Sequence, residues 1–323
     1  MSQEKKKIRQ RHEKRETEEK ISEKNEQTDR VEPKYGPIPR FPYQKVWSRS
    51  ILILGVLLIV WYNSTQSKEV SLARQREVLL SRTQNFDCPQ DYKEDLDKFP
   101  ECVPEKCGRI VTDKLVSTSE TDVLLKIAVN GMNLGGSAGG ASILDLHSGA
   151  LSKGAHFINI FSLEEASRIF NPPDFAIYKV VKTKIHHAIA HHFGVDVGKI
   201  YLTKPTFFSR MTNVSAKTIH DEYWLPHVDR VSYEHFHYTS LLYLNDYERD
   251  FQGGRFIFID KNNVNSTVEP RKGRLLMFTS GSENLHAVER VTSGTRYALT
   301  VAFTCNSEAA ISDPTFGKSV KNP

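Results

Sequence analysis

Across most of its length the chain carries no net charge. It has 44 Lys plus Arg and 39 Asp plus Glu; the first 50 residues hold 14 basic and 9 acidic side chains, which leaves 30 of each for the rest. A folded body without a basic face suits the nucleic-acid backbone poorly, so no nucleic-acid partner is expected. Proline and glycine are also sparse, at 14 and 18 residues in 323, too few for a collagen-like or low-complexity chain. No Gly-Lys-Ser/Thr follows the glycine-rich stretch NGMNLGGSAGGAS, so no phosphate cradle is read there; a flexible loop leading into a first strand, ASILDLHSG, is expected instead. What remains is a balanced composition with enough chain for one sizeable domain.

Most of the excess positive charge sits in residues 1–45, where large apolar side chains are thinly scattered. Such a segment cannot bury enough surface to offset its ordering entropy, which predicts a disordered, solvated cytosolic tail. Its KKKIRQRHEKR run also fits a nuclear address or a membrane-surface patch. Next comes ILILGVLLIVWY, Ile51–Tyr62, twelve apolar residues flanked by Lys45, Trp47 and Arg49. The run is short for a span of about 20 residues, but it has no amphipathic stripe, its flanking cations can snorkel, and its aromatics suit interfaces. It is too far from the N-terminus for an ordinary cleaved signal peptide. Residues 46–64 are therefore expected to be a single transmembrane signal anchor.

Orientation rests on chemistry, because within about 15 residues of the run Lys and Arg are tied at three on each side. Cys88, Cys102, Cys107 and Cys305 lie C-terminal to it, as do the sequons at Asn63, Asn213 and Asn265. Disulfides and N-glycans belong to the secretory lumen, which predicts a type II membrane protein of the endoplasmic reticulum or Golgi. Its N-terminus is then cytosolic and the part C-terminal to the run lumenal, with Asn213 and Asn265 the expected glycosylation sites. Residues 65–120 are read as a cysteine-containing stem. Four cysteines allow three pairings, and a zinc site is the weaker alternative, since Cys102 and Cys107 lack a second close pair.

The segment Asp174–Phe193 has apolar Ile177, Val180, Val181, Ile185, Ala188 and Ile189 at helical spacing, so residues 121–198 are expected to be helical and to pack on the C-terminal part of the chain. His186, His187, His191 and His192 are read as its solvated polar face, because no Glu completes a metalloprotease pattern. From residue 199 to 306 the texture changes to short β-rich runs, TSLLYLND, GRFIFID, RLLMFTS and RYALTVAFTC, divided by turns; this spacing suits a β-sandwich or barrel. Residues 307–323 are a C-terminal tail.

Chemistry concentrates in the β-rich part. His227 and Asp229 are two apart in Pro-His-Val-Asp, which on a strand places both side chains on one face. His286 comes after three expected strands, and Arg296 ten residues later opens RYALTVAFTC. On that strand Arg296 shares a face with small residues, Ala298, Thr300 and Ala302, so its guanidinium must meet an anion. Two His and one carboxylate form a facial triad for octahedral iron(II), leaving positions for a bidentate 2-oxo acid and dioxygen. Arg296 is placed to fork onto the far carboxylate of that acid.

The motifs HVD, HYTSLLYLN, FQGGRFIF, VEPRKGRLLMFTS, LHAV and TRYALTVAF, in this order over residues 200–305, resemble the 2-oxoglutarate- and iron-dependent dioxygenases of the prolyl-hydroxylase branch. The resemblance implies a mainly β double-stranded β-helix (jelly roll) with packed N-terminal helices. It implies His227, Asp229 and His286 as catalytic iron(II) ligands, with 2-oxoglutarate held by Arg296, Tyr243 and Thr300. O2 is then the co-substrate and ascorbate an expected reductant. Met211 stands about where many prolyl hydroxylases carry a Tyr, Ala302 where one subgroup has a Trp, and the loop NVSAKTIHDEYWLP is long. The resemblance therefore carries the cofactor sites but not the substrate, which can be a protein, a glycan or a lipid. Tyr223, Trp224 and Arg230 flank His-x-Asp and are expected to shape the substrate mouth. The competing readings are a catalytically inactive jelly-roll binding module and, less well supported, a zinc hydrolase without its Glu base.

Overall fold

The computed structural model describes residues 42–65, 68–218, 221–261 and 264–314, divided into two units, Met1–Thr65 and Gln66–Pro323. The tail expected over residues 1–45 lies almost wholly outside the described residues, as do residues 315–323. In the first unit, α1 (Gln44–Thr65) is one continuous helix of 22 residues, about 33 Å long at 1.5 Å per residue, close to the thickness of a bilayer's hydrocarbon core. None of its apolar window is buried, and among the described residues it is the one helix long and apolar enough to cross a membrane. It starts before the apolar run because Ser48 continues the helix, its Oγ donating to the Lys45 carbonyl at 3.3 Å.

The second unit opens with β1 (Lys68–Ala73), β2 (Arg82–Phe86), α2 (Gln90–Leu96) and β3 (Cys107–Thr112). Helix α3 (Thr118–Met132) comes next, then the short strands β4 (Gly136–Ser137), β5 (Ala141–Leu144), β6 (Ala150–Gly154) and β7 (His156–Asn159). A single turn, α4 (Ala166–Ile169), leads into the long α5 (Pro172–Phe193). The remainder is β8 (Tyr201–Thr212), the short α6 (Asp229–Ser232), β9 (Tyr238–Tyr243) and β10 (Phe251–Gly253). It ends with β11 (Phe256–Asp260), β12 (Val264–Val268), β13 (Leu275–Thr279), β14 (His286–Val288) and β15 (Val291–Thr304).

These strands make two sheets. The larger runs β2-β3-β13-β9-β15-β8-β5-β6-β4 and the smaller β1-β12-β11-β14. An antiparallel bridge between His227 and His286 adds the His227 segment to the edge of the smaller sheet. Taking β8 through β15 with that segment, four strands of one sheet (β8-β15-β9-β13) accompany four of the other (His227-β14-β11-β12), the connectivity of a double-stranded β-helix. Period-two alternation sorts the side chains. Leu241, Tyr243, Leu276, Phe278 and Ala298 point into a core shared with Phe256, Phe258 and Val288 of the smaller sheet. Their neighbours Leu242, Leu275, Met277, Leu299, Val301 and Phe303 point the other way and bury the helices.

Helices α3 and α5 pack on the sheet, but residues 136–159, inside the stretch expected to be helical, form the short strands β4–β7 instead, because they pair with one another and with β8. Helix α3 starts at a capping box in which Glu120 N donates to Ser117 Oγ at 3.2 Å and Ser117 N to Glu120 Oε2 at 2.9 Å, removing unpaired donors from the first turn. The buried stripe of α5 runs through Phe175, Tyr178, Val181, Ile185 and Ile189, while Val180, read as part of it, is 44% exposed. Tyr178 takes that place because its ring fills the helix–sheet gap and its hydroxyl meets His147 Nε2 at 2.7 Å. Of the four histidines read as a solvated face, His187, His191 and His192 are exposed, but His186 is half-buried and stacks on Phe303 at 5.2 Å.

Residues 65–120 form no separate stem. Strand β1 pairs with β12 and β3 with β13, and disulfides Cys88–Cys107 and Cys102–Cys305 fasten the segment, the second to the end of β15. Pairing with long-range strands supplies the partners that the polar local sequence could not reveal. The GGSAGG loop is also anchored. Asp221 accepts from Ala141 N, Lys217 N and Thr218 N at 2.8–3.0 Å, and a Cβ on Gly139 would sit 2.1 Å from its carboxylate.

Candidate active site

His227, Asp229 and His286 converge, each offering a donor atom within 4.8 Å of the other two. Asp229 Oδ1 lies 3.5 Å from Nε2 of each histidine. Reciprocal backbone bonds of 2.8 and 3.0 Å between His227 and His286 hold the two rings at a 4.4 Å centroid separation. The expected common strand for His227 and Asp229 is replaced by a bridge residue followed by the first turn of α6. Their side chains still face the same way because the intervening Val228 is extended (φ −111°, ψ 125°).

Hydrogen bonds fix which nitrogens are free. His227 Nδ1 meets the Leu225 carbonyl at 3.0 Å and His286 Nδ1 the Asn284 carbonyl at 2.8 Å. A carbonyl only accepts, so both Nδ1 atoms carry the proton and both Nε2 lone pairs face Asp229, the arrangement in which imidazoles ligate metals. Thr239 Oγ1 donates to Asp229 Oδ2 at 2.6 Å, leaving Oδ1 toward the rings. His286 is stacked on Phe256 at 4.8 Å, and burial lowers its pKa, which favours the neutral ligating form. At His227 burial also opposes charge, but in the protonated form the bond from Nε2–H to Asp229, the Leu225 carbonyl and the Asp229 charge outweigh it and raise the pKa. Burial likewise disfavours ionised Asp229, yet the two histidines and Thr239 keep it below the usual carboxylate value.

Arg296 lines the cavity that gathers the triad, with the Tyr243 ring next to it; the two are 1% and 0% exposed. Arg296 Nε donates to the Gly254 carbonyl at 2.9 Å, and Nη1 approaches Met211 Sδ at 3.5 Å. Arg296 Nη2 and Tyr243 Oη are buried with no hydrogen-bond partner, although the guanidinium sits 5.3 Å from the Tyr243 ring centroid and lies close enough to interact with it electrostatically. Burial pushes the Tyr243 pKa up to about 12, against the pull of Arg296 and Arg274, so its hydroxyl keeps its proton to donate. Burial lowers the Arg296 pKa as well, though the guanidinium remains a cation. Two buried, unsatisfied donors side by side, one charged, match a carboxylate. The donor sets therefore fit both groups that the motifs imply: N, N and O atoms for iron(II), and a guanidinium with a phenol for the far carboxylate of 2-oxoglutarate.

The cavity has a volume of about 470 Å³ and is lined by all three triad residues, Arg296, Thr300, Met211 and, toward its mouth, Tyr223, Leu225, Tyr233 and Phe236. Of the residues expected to shape that mouth, Tyr223 lines it and also accepts from Val291 N through its hydroxyl at 3.1 Å. Trp224 is instead covered by the Arg290 guanidinium at 3.9 Å, and Arg230 turns away to pair with Asp95. Sequence reasoning passed over Thr239, Gly254 and Phe256. Each lies within a motif already singled out, but its role depends on a partner from a distant strand. Of the sequons, Asn213 is exposed just after β8, whereas Asn265 is half-buried in β12, paired on both sides.

Fold and site together define a 2-oxoglutarate-dependent oxygenase, and the chain belongs to the 2OG-Fe(II) oxygenase superfamily, whose family model matches residues 213–304. Among particular proteins, it is 55% identical over 247 residues to 2-oxoglutarate and iron-dependent oxygenase domain-containing protein 3 of Xenopus tropicalis, covering 76% of this chain and 77% of that one. To the protein of the same name from Homo sapiens it is 47% identical over 285 residues, 84% and 89% of the two chains. A solved prolyl hydroxylase from Trichoplax adhaerens, in complex with a hypoxia inducible factor oxygen degradation domain peptide fragment, aligns at a TM-score of 0.44. It is 16% identical, covering 67% of this chain and 88% of that one.

Proposed function

We propose that the protein is a membrane-anchored, lumenal hydroxylase that inserts oxygen into a C–H bond of a protein, glycan or lipid substrate. His227, Asp229 and His286 hold iron(II), while Arg296 and Tyr243, with Thr300 beside them, hold 2-oxoglutarate. The observation that carries this reading is the pair of unsatisfied buried donors, Arg296 Nη2 and Tyr243 Oη, beside the cavity that gathers the triad. A binding module that had lost its chemistry would gain nothing from keeping a buried cation without a partner. Iron bound at the triad supplies oxygen activation, coupling decarboxylation of 2-oxoglutarate to succinate and CO2 with transfer of one oxygen atom to the substrate.

The chain's own groups do the rest. The Leu225 and Asn284 carbonyls keep both imidazoles in the ligating tautomer, and Thr239 orients Asp229. Arg296 and Tyr243 donate to the far carboxylate, which fixes where the 2-oxo end falls. Phe256, Phe278 and Leu241 wall the site with apolar surface, which excludes water and strengthens each of these electrostatic contacts. The exposed apolar helix α1, together with two disulfides beyond it, supports the lumenal placement with a cytosolic N-terminus. Ascorbate serves as reductant, and Asn213 is the better-exposed of the two glycosylation sites. The test is anaerobic addition of iron(II) and 2-oxoglutarate to the full-length protein in detergent. A visible charge-transfer band, and succinate formed once air is admitted, are expected of the wild type and not of His227→Ala. A folded, iron-supplied wild type with neither band nor succinate refutes the reading.

A further inference from the structure

We infer that Tyr92 and Asp95, on α2, are positioning residues for Asp229, more than 130 residues away in sequence; the inference rests on the reading of Asp229 as a metal ligand. Asp95 is 6% exposed. Its carboxylate pairs with Arg230, the residue after Asp229, and its Oδ2 lies 3.2 Å from His237 Nε2. The Arg230 guanidinium sits 5.1 Å over the Tyr92 ring. Tyr92 is completely buried. Its hydroxyl donates to the His237 carbonyl and accepts from Ser280 N at 2.9 Å.

Ser280 closes the circuit. Its carbonyl accepts from Arg230 N at 3.0 Å, and its Oγ is 2.9 Å from Thr239 Oγ1, the hydroxyl that holds Asp229 Oδ2. Helix α2 thus reaches Asp229 along two routes, through the backbone at Arg230 and through Ser280 and Thr239 to the carboxylate. Helix α6 has little packing of its own: it is four residues long and Val231 is 84% exposed. Rigidity at its first residue has to come from neighbours, and a ligand held loosely costs metal affinity. The clamp is itself held in place, since Cys88–Cys107 encloses α2, Cys102–Cys305 ties its C-terminal side to β15, and Tyr238 Oη donates to the Cys102 carbonyl.

The test uses the full-length protein in detergent, with manganese(II) affinity measured from the electron paramagnetic resonance of the free ion and the iron(II)–2-oxoglutarate band recorded anaerobically. Asp95→Asn and Tyr92→Phe are each expected to weaken manganese(II) about 10- to 100-fold and to shift the band, with Asp95→Glu recovering part of the loss. Glu120→Gln, which breaks the Lys184 pair between α3 and α5, is expected to lower the melting temperature and leave metal affinity unchanged. Metal affinity within twofold of wild type in both Asp95→Asn and Tyr92→Phe overturns the inference, whatever their melting temperatures; if Asp95→Asn does not fold, Tyr92→Phe decides alone. A wild type that binds neither metal overturns the ligand reading itself and this inference with it.

Discussion

Replacing Arg296 by Met should separate function from stability. In the ligand-free protein the guanidinium is a cation at 1% exposure with one unsatisfied nitrogen. An unpaired buried donor costs about 1–3 kcal/mol, and burial of an ion costs several. Arg296→Met removes both costs and loses the Nε bond to the Gly254 carbonyl, another 1–3 kcal/mol or so. The relieved costs match or exceed the lost bond, so the ligand-free variant should melt close to wild type or above it, at about 2–4 °C per kcal/mol. In the liganded protein the balance differs. Two charge-assisted bonds to a carboxylate are worth about 1.5–3 kcal/mol each, so 2-oxoglutarate should bind the variant between about 10²- and 10⁴-fold more weakly. The assay is thermal melting with manganese(II) bound, with and without 2-oxoglutarate at a hundred times the wild-type Kd. That concentration stabilises wild type by about 2.7 kcal/mol and should leave the variant unmoved. A variant that melts far below wild type yet is still stabilised by 2-oxoglutarate refutes the reasoning, because Arg296 is then structural.

Gly254→Ala should mimic part of that loss: Gly254 is at φ +68° and an added Cβ would lie 2.9 Å from Arg296 Cδ. Its 2-oxoglutarate Kd is expected to rise while triad metal affinity holds, and calorimetric titration of each ligand checks both. The pair Cys102→Ser/Cys305→Ser opens a link across 203 residues and should cost about 2–5 kcal/mol in urea unfolding; no loss would mean that strand pairing alone holds the segment. The pKa of Asp221 lies below its ordinary 3.8: burial opposes ionisation, but hydrogen bonds from Ala141, Lys217 and Thr218 outweigh it. Its stabilising contribution is therefore complete above that value and lost as pH falls below it. Urea midpoints of wild type and Asp221→Asn should differ at pH 6 and converge toward pH 3, and a gap independent of pH contradicts the assignment.

Much of the site was legible because each piece is local. His227 and Asp229 are two apart, so any extended intervening residue points them the same way, strand or not. Alternation along Arg296–Phe303 set the guanidinium among small side chains and sent Leu299, Val301 and Phe303 to the helices, as a pleat requires. What stayed hidden lies in partners far along the chain. Thr239 reads as an ordinary strand residue until Asp229 folds over it, and Arg230 reads as a rim residue until Asp95 arrives from α2. Residues 65–120 read as a stem because their polar runs have no periodicity of their own, and their β structure exists only by pairing with β12 and β13.

Residue type, the two-residue spacing of His227 and Asp229 and the order of the motifs that follow them pointed to the class of chemistry, and an uninterrupted apolar run pointed to the helix ahead of the folded unit. Folding in three dimensions was needed to choose which cysteines pair, to bring Asp95 of an N-terminal segment onto Arg230, and to leave Arg296 and Tyr243 with unsatisfied donors side by side next to one cavity. The longest of those contacts span 135 and 203 residues, where loop closure and packing select the partner and local pattern says nothing.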